Sequence, residues 1–216
     1  MREISFETGG FYHVYNRGTD KRNIFADKSD YSRFLKSMDV FNAKKPIGSI
    51  YEHVFDLKLG RFGRLASKSK LVDIVCYCLN LNHYHMLVEQ KVDGGVSEFI
   101  KRLSGGYTKY FNHKYKRSGV LFQGKFKALF VDSNEYLLHL SAYINLNNKA
   151  HRVQGSLFRS SWDEYLNFDR QSLCTKDVIL KQFKNSNEYK DFAESSFRDI
   201  LERKDSMRDF LSLLFE

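Results

Sequence analysis

The chain has 216 residues, 42% of them hydrophobic, with one proline and no Gly/Ser-rich tract. That is enough apolar material for one large domain, or a domain with an appendage, and it excludes long disordered linkers. No apolar stretch approaches a membrane span, the N-terminus lacks the apolar core of a secretory signal, and three cysteines make neither a disulfide framework nor a complete zinc set. A cytoplasmic location without membrane contact is expected. The net charge of +9 is concentrated: residues 99–152 hold ten Lys/Arg against two acids. Tyr107, Tyr110, Phe111, Tyr115, Phe122 and Phe126 are interleaved with that charge. Clustered cations with aromatics suit a nucleic-acid surface, the plain alternative being a solvated basic face.

Phe11-Tyr-His-Val-Tyr15 alternates as a strand and runs into the turn-like Asn16-Arg-Gly-Thr-Asp20. Ser29 or Asp30 can cap a helix that places Tyr31, Phe34, Leu35, Met38 and Phe41 at helical spacing. Residues 44–70 are ambiguous, since residues 50–57 fit strand or helix before Gly60 and Gly63 interrupt them. Residues 72–79 and 84–89 read as two strands, with Cys76 and Cys78 as core residues. Asn80-Leu-Asn82 between them is either a turn or a run of polar positions. A helix starts at Val96 and resumes after Ser104-Gly-Gly106 as far as Tyr115. The two glycines weaken it by about 1 kcal/mol each and admit another backbone close by. Residues 120–131 lead from a loop into a strand. Asp132 and Glu135 then form a capping-box pattern for a helix that reaches about Asn147. Residues 156–166, with the only tryptophan at Trp162, read as a closing packing segment, and residues 177–216 as a helical tail. This order predicts an α+β domain, an antiparallel sheet with helices over one face. We place the domain at residues 1–165 and a helical extension at residues 166–216.

His83 and His85 stand at i and i+2 of a strand and so share a face. Two imidazoles on a rigid sheet are a partial ligand set for a divalent metal. An amide oxygen from a packed helix completes a mixed N/O site suited to Mg²⁺ or Mn²⁺, and Asn147 is the candidate. Tyr143, four residues earlier, lies on the same helix face and is a candidate nucleophile toward a phosphate. Tyr107 and Tyr110 are its rivals. Those two and Tyr115 are also candidates to stack on bases.

Four stretches together resemble the single-tyrosine HUH transposases of bacterial insertion sequences, including the REP-associated tyrosine transposases. They are Phe11-Tyr-His-Val-Tyr-Asn-Arg-Gly18 with Arg22 and Phe25; Leu81-Asn-His-Tyr-His-Met-Leu-Val88; Arg117-Ser-Gly-Val-Leu-Phe-Gln-Gly-Lys-Phe-Lys127; and Tyr143-Ile-Asn-Leu-Asn147. The resemblance spans about residues 8–165 and departs from the family at Asn148, where many relatives carry proline. It implies a ferredoxin-like α+β fold, often a homodimer. It also implies metal-dependent cleavage and rejoining of single-stranded DNA near hairpins. By resemblance His83, His85 and Asn147 are the metal ligands. Tyr143 is the nucleophile, taking the 5′-phosphate and leaving a 3′-hydroxyl. Arg17, Arg22, Lys101, Arg102, Lys109, Arg117, Lys125 and Lys127 are the candidate DNA contacts. Two other readings stay open: a non-catalytic DNA-binding regulator that retains the fold, and a small-molecule metallohydrolase.

Overall fold

The computed structural model describes residues 4–48, 50, 69–150, 158–167 and 172–214. The ambiguous segment 50–57 lies outside them except for Ile50. Strand β1 (Phe11–Arg17) is followed by a 3₁₀ turn, Thr19–Lys21, and by α1 (Lys28–Val40). Strands β2 (Val72–Asn80) and β3 (His83–Gln90) form a hairpin turning through Leu81 and Asn82. Helix α2 (Gly95–Lys114) crosses back to β4 (Lys127–Val131). Then come α3 (Asn134–Asn145), α4 (Asn147–Ala150), β5 (Arg159–Ser160), α5 (Trp162–Leu166), α6 (Asp177–Leu180) and α7 (Ser186–Leu214).

The strands form one sheet in the order β4-β1-β3-β2-β5, with antiparallel neighbours throughout. The first four strands, with α1 and α2 as crossovers, make the β-α-β-β-α-β ferredoxin-like arrangement. Alternation along each strand divides the side chains between two cores. Tyr12, Val14, Ile74, Leu79, Tyr84 and Met86 face α1 and α2, where they meet Phe34, Met38, Phe99 and Leu103. Val75, Cys76, Cys78 and Leu87 face the other way, against Leu137, Leu140 and Ile144 of α3 and Ile179, Tyr189 and Phe197 of α6 and α7. A bulge between Ile74 and Cys76 puts both Val75 and Cys76 on that second face.

The α+β fold, an antiparallel sheet with helices packed on it, is as expected. The two crossover helices do share a face, but the opposite face is covered by α3, α6 and α7. The physical reason lies in β2, whose near-continuous apolar run cannot be left half in water. Two caps also differ from expectation. Asp27, not Ser29 or Asp30, caps α1 by accepting from the backbone N–H groups of Ser29 and Asp30. Ser133, not Asp132, caps α3 by accepting from the Tyr136 N–H. Helix α2 runs unbroken through its two glycines. A Cβ at Gly106 would lie 2.5 Å from the Phe41 ring, so what approaches there is a side chain and not a backbone.

Candidate active site

The antiparallel register puts Tyr15 opposite His85 and Arg17 opposite His83. With a period of two, His13, Tyr15 and Arg17 of β1 therefore share the face that carries His83 and His85. Helix α3 covers that face and brings Tyr143 to it. The Tyr143 and His85 rings meet edge to face with centroids 5.9 Å apart. Leu146 breaks the helix after Asn145, so Asn147 opens α4 rather than ending α3, and its side chain is fully buried. A cavity of about 540 Å³ opens at this point, lined by Tyr15, Arg17, Lys21, His83, His85, Gln123, Lys127 and Tyr143, among others.

A chain of hydrogen bonds sets the protonation of His83. Asn82 donates its Nδ2 to the Lys21 carbonyl at 3.1 Å, which leaves its Oδ1 toward His83 Nδ1 at 2.6 Å. An amide oxygen only accepts, so His83 carries its proton on Nδ1. Its Nε2 is then the acceptor, 3.0 Å from Asn80 Nδ2. The other Asn80 N–H goes to Asn147 Oδ1 at 2.8 Å. His83 Nε2 and Asn147 Oδ1 thus both present lone pairs to one place. The turn behind Asn82 is strained, with Asp20 and Lys21 at positive φ. It is held tight because a Cβ at Gly18 would stand 2.2 Å from the Arg22 carbonyl oxygen.

His85 is oriented by His13, whose Nε2 lies 2.8 Å from His85 Nδ1. Burial lowers the His13 pKa to about 4, so the ring is neutral at physiological pH. When His85 donates from Nδ1, its own lone pair stays on Nε2, as a metal ligand requires. Burial also raises the Tyr143 phenol above its ordinary pKa. The Asn147 amide opposes that rise, although among the described residues Asn147 Nδ2 finds no hydrogen-bond partner of ordinary geometry. Among the described residues no group of three or more His, Cys, Asp or Glu suits a metal.

The candidate DNA contacts are dispersed. Arg17 and Lys127 line the cavity with Lys21, and Arg17 donates to Gln123. Arg22 and Arg117 border a second concavity of about 430 Å³ with Asn23, Phe111 and Tyr115. Lys125 is exposed on the approach to β4. Lys101, Arg102 and Lys109 ride on α2, across the sheet from the histidines. Arg102 is committed within the chain, to Glu98 at 2.8 Å and to the Ala43 carbonyl at 2.7 Å. The rival tyrosines lie in the same region. Tyr107 is buried and donates to the Ile24 carbonyl, while Tyr110 and Tyr115 donate to Asp30. Burial leaves Tyr107 no face for a base or a phosphate. Reading the sequence for motifs missed His13, Tyr15, Lys21, Asn80 and Asn82. The first two were reachable from strand alternation once β1 is paired with β3.

No helix among the described residues is long and apolar enough to cross a membrane. No curated protein matches the chain. Among solved structures, one of a REP-associated tyrosine transposase bound to a REP hairpin is 11% identical, with a TM-score of 0.48. That likeness covers 80% of this chain and 88% of the other. The sequence profile of the family described as "Transposase IS200 like" matches residues 12–147, from the first strand through Tyr143 to the amide that opens α4. That span is well over half of the chain, and the chain belongs to the IS200-like transposase family.

Proposed function

We propose that this chain is a metal-dependent single-strand DNA endonuclease and strand transferase, acting in the cytoplasm at hairpin-forming DNA through a covalent 5′-phosphotyrosine. One observation carries the reading: Tyr143, His83 and His85 line one cavity that Arg17, Lys21 and Lys127 make electropositive, and Asn80 links the buried Asn147 amide to His83 behind it. Tyr143 Oη is the nucleophile. It forms a bond to phosphorus as the bond to the 3′-oxygen breaks, the phenol loses its proton and the departing oxygen gains one. One phosphodiester replaces another, so the joining step is the same exchange in reverse and needs no nucleotide cofactor. Burial raises the phenol's pKa, so its proton has to be removed as the bond to phosphorus forms.

The donor set fits Mg²⁺ or Mn²⁺, since two neutral imidazoles and an amide oxygen form a mixed N/O site. His83 Nε2, His85 and Asn147 Oδ1 would hold the ion. Once bound, it would supply positive charge to the scissile phosphate and assist the phenol's ionisation. Arg17, Lys21 and Lys127 bind phosphates beside the nucleophile, and Arg22 with Arg117 takes the strand beyond it. Lys101, Lys109 and Lys125 add long-range attraction. The chemistry resides in residues 1–165, and residues 166–216 brace α3. Strand β4 is a sheet edge with Leu129 and Phe130 about half exposed, which supports pairing with a second copy.

The test is incubation with labelled single-stranded hairpin DNA and Mg²⁺, followed by denaturing electrophoresis. The wild-type chain yields an adduct, and Tyr143→Phe yields none while still binding the hairpin. An adduct from Tyr143→Phe overturns the assignment. Binding by the wild-type chain with no cleavage on any hairpin favours the non-catalytic regulator.

A further inference from the structure

Asn80 closes β2 opposite His83 and is 1% exposed. Neither the family motifs nor the ligand set above uses it. Its Nδ2 nevertheless stands between two atoms assigned to the cation, 3.0 Å from His83 Nε2 and 2.8 Å from Asn147 Oδ1. Among the described residues its Oδ1 has only the weak donor Cys78 Sγ, at 3.8 Å.

These spacings are those of a coordination edge. An octahedral cation with bonds of about 2.1 Å holds its neighbouring donors about 3 Å apart. Asn80 Nδ2 is at that separation from both acceptors, but in the metal-free chain it presents hydrogens to them. The two ends of a carboxamide have nearly the same shape. A half-turn about the last side-chain bond exchanges N–H₂ for a carbonyl oxygen without moving the backbone. It exchanges the weak S–H···O contact for an N–H···S contact and gives up the two N–H bonds to His83 and Asn147, a loss that a bound cation would offset by taking both lone pairs. In the metal-free chain the amide hydrogens hold the two lone pairs in place. With a cation present the oxygen takes over.

We propose that Asn80 is a metal ligand of this centre, its amide acting as donor in the metal-free chain and as an oxygen ligand in the loaded one. This rests on the metal reading given above. Four ligands from the chain then leave two octahedral positions for oxygens of the substrate or water. A simple plug would instead be expelled by the metal and would contribute nothing to its affinity.

The experiment titrates Mn²⁺ into the full chain without DNA and follows loss of the free-ion electron paramagnetic resonance signal. Melting in chelator serves as the folding control. Asn80→Leu keeps the volume but supplies no oxygen, and weakens Mn²⁺ binding about 10-fold or more. Asn80→Asp keeps an oxygen in place and binds at least as tightly as wild type. Wild-type or tighter affinity in folded Asn80→Leu overturns the proposal, as does loss of affinity in Asn80→Asp. Should Asn80→Leu fail to fold, Asn80→Asp decides alone. If the wild-type chain takes up no Mn²⁺, the metal reading itself fails and Asn80 with it. Normal uptake that ignores Asn80 removes only this proposal.

Discussion

Replacing Asn82 by alanine tests how far metal competence depends on a residue that touches no metal. The substitution removes the oxygen that holds the His83 Nδ1 proton at 2.6 Å and the amide that anchors the turn at Lys21. Two half-exposed hydrogen bonds contribute about 0.5–1.5 kcal/mol each, so the fold loses about 1–3 kcal/mol. In a chain of this size that lowers Tm by about 2–12 °C, and the protein remains folded. The larger effect falls on the ring. Without Asn82, the tautomer with hydrogen on Nε2 becomes accessible, and that tautomer has no lone pair to offer. Loss of such an outer partner weakens metal binding about 10- to 100-fold, or about 1.4–2.7 kcal/mol. The assay is adduct yield against Mn²⁺ concentration. Asn82→Ala needs 10- to 100-fold more Mn²⁺ for half-maximal yield and reaches the wild-type plateau when saturated. An unchanged midpoint refutes the tautomer argument. A normal midpoint with a lowered plateau places the role of Asn82 in substrate positioning.

Three further outcomes are expected. Lys114 sits 2.7 Å from both Asp27 and the fully buried Asp30, so Lys114→Met strands a buried carboxylate and costs on the order of 3 kcal/mol, read as a Tm drop of about 6–12 °C. A drop under 2 °C would show that Tyr110 and Tyr115 satisfy Asp30 unaided. Lys127→Ala lowers hairpin affinity and makes the slope of log affinity against log salt shallower by about 0.7, whereas Arg102→Ala changes stability more than affinity. Equal slopes for Lys127→Ala and wild type would remove Lys127 from the phosphate contacts. His13 has its folded pKa depressed to about 4 from 6.5, so its contribution to stability is complete above pH 6.5 and is lost as pH falls toward 4. In chelator the wild-type chain loses on the order of 3 kcal/mol across that window. His13→Gln flattens the decline, and parallel pH curves for the two proteins would refute the assignment.

What could be read before the fold was known depended on range. His83 and His85 are two residues apart, so strand periodicity alone puts them on one face. Tyr143 and Asn147 are four apart, and helical periodicity does the same for them even though the backbone breaks at Leu146 between them. The link between the pairs is a long-range contact: ligand chemistry made Asn147 and Tyr143 candidates for it, and the family resemblance joined all four. His13 escaped because its importance depends on the β1–β3 register. Asn80 escaped because it reads equally well as a turn residue. The buried second face was legible in principle, since a strand reading Val-Asp-Ile-Val-Cys-Tyr-Cys-Leu has too few polar positions for a solvated side. The charge count misled in one respect. It treated Lys101, Arg102, Lys109 and Lys114 as part of one surface, but α2 lies across the sheet from the histidines, and two of those cations are engaged inside the chain.

The cover on the second face explains how a tyrosine on a helix can be aimed at a group on a strand. Asn145, midway between Tyr143 and Asn147, is buried and bonded on both sides. Its Oδ1 accepts from Ser161 Oγ at 2.6 Å, and its Nδ2 donates to the Tyr189 hydroxyl at 2.8 Å. Ser161 Oγ in turn accepts from the Tyr77 N–H of β2, the strand that ends in Asn80. Farther along, His139 Nδ1 lies 2.6 Å from Ser196 Oγ of α7. The helix that carries Tyr143 is thus tied to the sheet through Asn145 and to the C-terminal helix through His139, Ser141 and Asn145. Buried polar bonds of this kind are directional, and they fix rotation and register where an apolar contact fixes only proximity. No described side chain of α7 lines the cavity, yet the helix holds one side of the element that carries Tyr143 and leads into Asn147. The geometry of the site is therefore set in part by residues beyond 166, through Tyr189 and Ser196.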